Sequence, residues 1–163
     1  MGTPPEKSQR KADRFPVLGR LVVVTCLIIS ALDIAILRHG RFTLTAVGIL
    51  GVALFLAGLS LYGVVRLTLG RIFSEAVRIL PGHKLITNGP YRIIRHPIYL
   101  GEILYGLSIP MMLSSLYGFV IMLALIPMLL HRIGIEEKIL VSRFGQEYVE
   151  YAHNTKKIIP HIY

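Results

Sequence analysis

The sequence predicts an all-α integral membrane protein with about four transmembrane helices. A polar cytosolic segment separates the second from the third, and an amphipathic helix ends the chain. Three observations carry this reading. The 163 residues are 53% hydrophobic and only 17% charged, where soluble domains are about a quarter charged, and mean hydropathy is +0.62. Apolar runs recur near the length of about 20 residues that a spanning helix needs. Lys and Arg fall very unequally between the two sides that four crossings would create.

Residues 1–16 read as a disordered basic leader containing Pro4 and Pro5. A basic start before an apolar run resembles a signal peptide, but no small-residue cleavage site follows, so a retained anchor is expected. The opening Met-Gly-Thr lacks the Ser or Thr that myristoylation needs at the right spacing. Residues 17–66 hold two spans. The first, 17–37, has Arg20 placed to snorkel and Asp33 inside it; Asp33 is expected as a helix–helix hydrogen-bond partner. The second, 42–65, has no charge at all. Its Ala53 and Ala57, four apart, suit a close helix contact. Cys26 is the single cysteine and reads as a small buried side chain.

Residues 67–163 change character. Between 66 and 97 come Arg66, Arg71, Arg78, Lys84, Arg92 and Arg95, with turn signals at Pro81, Gly82, Gly89 and Pro90. The part from 66 to 79 reads as an interfacial amphipathic helix. Two short helices follow, about 97–113 and 117–133, joined across Leu-Ser-Ser-Leu-Tyr-Gly. Each is short for a full crossing, so a tilted or partly immersed hairpin is expected, kinked at Pro110 and Pro127. A cytosolic helix from Glu136 to about 152 completes the chain.

With both ends on one side, sixteen of the 18 basic residues collect there and only Arg38 and Arg41 lie opposite. The positive-inside rule then makes both termini and the 66–97 segment cytosolic in a multi-pass protein. The membrane is the cell membrane of a prokaryote or the endoplasmic reticulum of a eukaryote. Net charge of +9 comes without a zinc finger, an RNA-binding signature or a separate basic domain, which argues against nucleic acid. His83 and His96 have no Cys or third His at ligand spacing, which argues against a metal.

The chemistry concentrates in residues 82–104, GHKLITNGPYRIIRHPIYLGEIL. Pro97 suits the first turn of a helix, where its missing N–H costs nothing. Such a helix start presents free N–H groups and partial positive charge, suited to a carboxylate or phosphate. His96 and Tyr99 flank it. Downstream, Arg132 and Glu136 are four apart and share a helix face, as an interfacial anchor or as a site. Glu137 is expected to project elsewhere into solvent. Arg92 and Arg95 read as headgroup or cofactor-side charges. Glu102 either lines a pocket or pairs with an arginine. Phe144, Tyr148 and Tyr151 read as the packing face of the last helix, with a lid role as the alternative.

GHKLITNGPYRIIRHPIY, followed by RIGIEEKILVSRFGQEYVEY, resembles the isoprenylcysteine carboxyl methyltransferase family, within a wider group of phospholipid methyltransferase-like membrane enzymes. The resemblance covers roughly residues 70–160. It implies S-adenosyl-L-methionine as cofactor and a lipophilic methyl acceptor arriving from the bilayer. It also implies that His83, Lys84, Leu85 and Ile86 line the cofactor, together with Tyr91 and the segment His96, Pro97, Ile98 and Tyr99. Arg132 falls on the arginine assigned to the acceptor, and Glu136 on the glutamate beside the cofactor. Ala76 stands where some members carry a glutamine.

The expected function is thus an S-adenosylmethionine-dependent membrane methyltransferase, acting on a carboxylate such as that of a prenylcysteine. The alternatives are a phospholipid amine N-methyltransferase, an NADPH-dependent sterol-type reductase with a similar Arg-His-Pro turn, and a non-enzymatic membrane scaffold.

Overall fold

The computed structural model describes residues 15–37, 45–70 and 85–159. Most of the expected leader, the start of the second span and most of the expected 66–79 helix lie outside them; the leader's last two residues, Phe15 and Pro16, belong to the first helix. Helix α1 covers Phe15–Leu32 and runs into a π-helical turn, Asp33–Leu37. Helix α2 covers Ala46–Leu69, α3 Pro97–Met112, α4 Leu116–Leu123, α5 Leu125–Phe144 and α6 Gln146–Asn154. The chain is all-helical among the described residues, apart from an isolated parallel bridge between Ile94 and Lys156.

Three of these helical stretches are long and apolar enough to cross a bilayer: Phe15–Leu37, Ala46–Leu69 and Leu116–Phe144. Large side chains such as Leu21, Ile28, Ile49, Leu56 and Val120 are exposed on them, as a lipid-facing surface requires. The protein is a multi-pass membrane protein. Helix α3 has 16 residues, about 24 Å at 1.5 Å per residue, so this arm of the hairpin is as short as expected.

The other arm is not short. α4 and α5 follow one another with a break at Ala124, and the stretch reaches Phe144. Pro127 accounts for the break, since its ring removes one helical N–H and clashes with the carbonyl four residues back, at Leu123. No boundary separates a membrane helix ending near 133 from a cytosolic helix starting at 136. Gly134 alone does not stop a helix. The stop comes at Gly145, whose φ of +55° turns the chain into α6.

α2 packs mainly on α3. The buried positions of α2 are Gly48, Gly51, Gly58 and Val65, on one stripe. A Cβ at Gly58 would lie 2.6 Å from the Tyr105 nitrogen, and one at Gly51 2.8 Å from that of Met112. The expected pair, Ala53 and Ala57, is exposed instead: small residues do make this contact, but the glycines one stripe over bring the backbones together. Thr45 caps α2 by accepting from Gly48 N and meets Ser114 Oγ at 2.8 Å, tying α2 to the hairpin turn.

α1 packs on α4, where Ser30 Oγ sits so close to Gly118 that a Cβ there would be 2.1 Å away. Cys26 is fully buried, as expected, and Asp33 is buried too. Cys26 joins Tyr99, Met122, Leu125, Leu129, Ile133 and Ile158 in one core cluster, so the C-terminal segment docks where α3 and α5 meet.

Candidate active site

Before α3 the chain makes a single 3-10 turn, Gly89–Arg92, with Pro90 in its first turn. Gly89 has φ +56° and presses against Thr68 of α2, which anchors the turn to the membrane helices. Residues 93–96 are then clipped to the C-terminal segment. Arg95 N donates to Lys156 O at 2.7 Å, His96 N to Lys157 O at 2.9 Å, and Lys156 N to Ile93 O at 3.2 Å. His96 is the residue before Pro97, and that proline opens α3 as its missing donor allows.

This framework brings His96 and Tyr99 to the face of α5 that carries Arg132 and Glu136. Tyr99 donates its hydroxyl to Glu136 Oε1. Arg132 Nε donates to the same oxygen at 3.4 Å, and its guanidinium lies 5.5 Å from the Tyr99 ring centre. His96 Nδ1 is 3.8 Å from Glu136 Oε2. Thus Glu136 accepts from a phenol and a guanidinium with an imidazole close by, and Arg132 and Tyr99 are both buried.

Two sequence expectations are corrected here. Glu137 is not a solvated residue: its side chain is 18% exposed and pairs with Arg95 Nε at 3.0 Å and Lys157 Nζ at 3.3 Å. Successive helix residues project about 100° apart, so Glu136 and Glu137 reach His96 from two sides, with Nε2 lying 3.6 Å from Glu137 Oε1. Arg95 is not a headgroup charge. Its Nη1 also donates to the carbonyls of Ala152, at 2.7 Å, and Thr155, at 2.5 Å, satisfying acceptors that the end of α6 leaves open.

The remaining predicted residues divide. His83 and Lys84 lie outside the described residues. Leu85 lines a cleft of about 480 Å³ with Thr87, Arg92, Glu147 and Tyr151. Ile86 is half-buried beside it in the chain. Ile98 packs against the core cluster. Tyr91 is held through its carbonyl, which accepts from Tyr151 Oη at 2.7 Å. Burial pushes the Tyr151 phenol up to about 12, with the Arg95 charge pulling it partly back, so it stays a donor at neutral pH. Burial, then the Glu137 carboxylate, likewise raises Tyr148. The sequence does not single out Lys157, and it reads Glu137 as solvated although that residue adjoins Glu136; Arg95 reads as a headgroup or cofactor-side charge and Tyr148 as packing or lid. Among the described residues no group of three His, Cys, Asp or Glu is arranged to hold a metal.

Known proteins resemble this chain in sequence and in fold. The isoprenylcysteine carboxyl methyltransferase (ICMT) family profile matches residues 49–142, which include all four clustered side chains. A probable protein-S-isoprenylcysteine O-methyltransferase of rice (Oryza sativa subsp. indica) is 33% identical over 88% of this chain and 83% of its own length. A Delta(14)-sterol reductase of mouse (Mus musculus) is 30% identical over 55% of this chain but 22% of its own length. The solved structure of a eukaryotic intramembrane Ras methyltransferase, ICMT, superposes with a TM-score of 0.76 at 25% identity, covering 88% of this chain. This chain spans 52% of that protein. With the family profile over more than half of its length and a relative matched nearly end to end, this chain belongs to the isoprenylcysteine carboxyl methyltransferase family.

Proposed function

We propose that this protein transfers a methyl group from S-adenosylmethionine to the carboxylate of a prenylcysteine. The observation that carries the reading is the meeting of His96, Tyr99, Arg132 and Glu136 inside the family-matched region. When bound, the donor supplies a sulfonium methyl that a carboxylate oxygen attacks in line, forming the O–C bond as the C–S bond breaks. A carboxylate has no proton to lose, so no general base is needed. The protein's task is alignment and exclusion of water.

The residues fit such a donor. Glu136 is fixed by Tyr99 and Arg132, which hold an ionised carboxylate ready for the donor's amino group. His96 Nε2 is buried without a hydrogen-bond partner among the described residues, as suits a ligand contact. His83, Lys84, Leu85, Ile86, Tyr91, Pro97 and Ile98 complete the donor's surroundings. Arg132 Nε donates to Glu136 Oε1, and a guanidinium can hold an acceptor carboxylate in a two-pronged hydrogen bond. The prenyl tail lies among the helices, reached sideways from the bilayer. Residues 67–163 form the methyl-transfer core, residues 17–66 anchor it, and the basic residues keep both termini and the site cytosolic.

The test is calorimetry with S-adenosylhomocysteine after chelator treatment, then labelled methyl transfer to prenylcysteine analogues and phospholipids. Binding followed by esterification of the prenylcysteine is expected. NADPH binding without S-adenosylhomocysteine binding would move the assignment to a reductase, and methylation of lipid amines alone would change the acceptor.

A further inference from the structure

Two side-chain atoms are buried without a hydrogen-bond partner among the described residues: His96 Nε2 and the Tyr148 hydroxyl. Burying a hydroxyl unpaired is costly, and native proteins rarely leave one so. Tyr148 is 2% exposed, and its ring packs edge-on against Tyr151 with centroids 6.0 Å apart. Phenylalanine would fill that space without the buried hydroxyl, so packing alone does not select tyrosine here.

The place of Tyr148 says what its hydroxyl meets. Tyr148 and Ala152 are four apart on α6 and share a face. Ala152 presents its carbonyl to Arg95, and Arg95 binds Glu137. The charges of Glu137, Arg95 and Glu136 act on the Tyr148 phenol, so it lies beside the polar cluster that surrounds His96, the other residue with an unpaired buried atom. α6 lies beyond the three spanning stretches, on the side from which a water-soluble ligand arrives rather than a lipid tail.

Building on the function proposed above, we infer that Tyr148 is a further donor-binding residue. Its hydroxyl gives a hydrogen bond to an acceptor oxygen or nitrogen of the adenosyl donor, at the Arg95–Glu137 end of the site.

The experiment compares the full-length wild type with Tyr148→Phe in detergent. It measures ligand-free melting, S-adenosylhomocysteine affinity by calorimetry, and KM for donor and prenylcysteine separately. Tyr148→Phe is expected to melt at or above the wild-type temperature, because an unpaired buried hydroxyl is gone. It should bind S-adenosylhomocysteine roughly 3- to 10-fold more weakly, the effect of one hydrogen bond, and raise only the donor KM. Unchanged affinity would overturn the inference. So would a drop in ligand-free melting temperature, which would reveal a structural partner, or a rise confined to the prenylcysteine KM, which would turn Tyr148 towards the acceptor. Absence of S-adenosylhomocysteine binding by the wild type would instead overturn the methyl-donor reading itself, and this inference with it.

Discussion

The contact between α2 and α3 and the cluster around His96 solve opposite problems. In the first, Gly51 and Gly58 let two helix backbones approach until no Cβ fits. Lipid tails are as apolar as leucine, so association inside a bilayer gains little from burying apolar surface and relies on close van der Waals contact. In the second, Glu136 lies within ion-pair reach of Arg132 and His96, and Glu137 within reach of His96, Arg95 and Lys157. There, charges with little solvent exposure are expensive unless each has a partner, and their mutual pairing fixes positions. One region tolerates no added atom and the other no lost charge. The polar region should therefore be the more sensitive to deletion and the apolar one to insertion.

Arg95→Ala should have the largest effect, about 3–5 kcal/mol of stability, the usual result of removing one partner from a buried pair. It removes the closer of the two cations paired with Glu137, leaving Lys157, and strands two carbonyls at the end of α6. Denaturation in detergent measures this, and a wild-type midpoint would place the constraint elsewhere. Gly58→Val should cost about 3 kcal/mol, the upper range of overpacking, because the obstructing atoms are backbone. Ala53→Val on the exposed face should change the midpoint by less than about 0.5 kcal/mol. Equal losses at the two positions would undo the assignment of the glycine stripe.

Arg132→Ala tests chemistry in addition to folding. Losing a charge-assisted hydrogen bond of about 1.5–3 kcal/mol in the transition state lowers turnover roughly 10- to 150-fold. Donor affinity should stay near normal, and Arg132→Lys should recover little, since an ammonium lacks the planar fork. Normal turnover with a lowered melting temperature would make the Arg132–Glu136 pair an anchor only. Tyr151→Phe should cost less than the Arg95 and Gly58 variants, about 0.5–1.5 kcal/mol for the bond to the Tyr91 carbonyl. The Tyr151 phenol is raised by folding to about 12, so its contribution is intact below the ordinary phenol range near pH 10 and fades as pH climbs through 12. The variant should accordingly lose less stability than wild type over that alkaline window.

Much of this was readable in the chain itself. The two N-terminal spans follow from apolar run length, and the structure places them at Phe15–Leu37 and Ala46–Leu69. Pro97 at the start of α3 follows from the donor that proline lacks. The joining of Arg132 to Glu136 follows from helical spacing, and the meeting of this pair with His96 and Tyr99 followed from resemblance to a family. Each of these is local, or travels with a motif.

Only the tertiary structure decided the rest. Whether Gly51 and Gly58 or Ala53 and Ala57 face α3 depends on how α2 is rotated about its axis, and its nearly uniform apolar sequence does not encode that rotation. Arg95 and Glu137 are 42 residues apart and Tyr151 and Tyr91 are 60 apart. No periodicity links such positions. They meet because the C-terminal segment pairs with residues 93–96 and carries α6 back over the start of α3. The sequence by itself showed which stretches must live in lipid, and its resemblance to a family pointed to the residues proposed for methyl transfer. The path of the backbone decided that Glu137 turns inward beside His96 and that the Tyr148 hydroxyl is buried without a hydrogen-bond partner among the described residues.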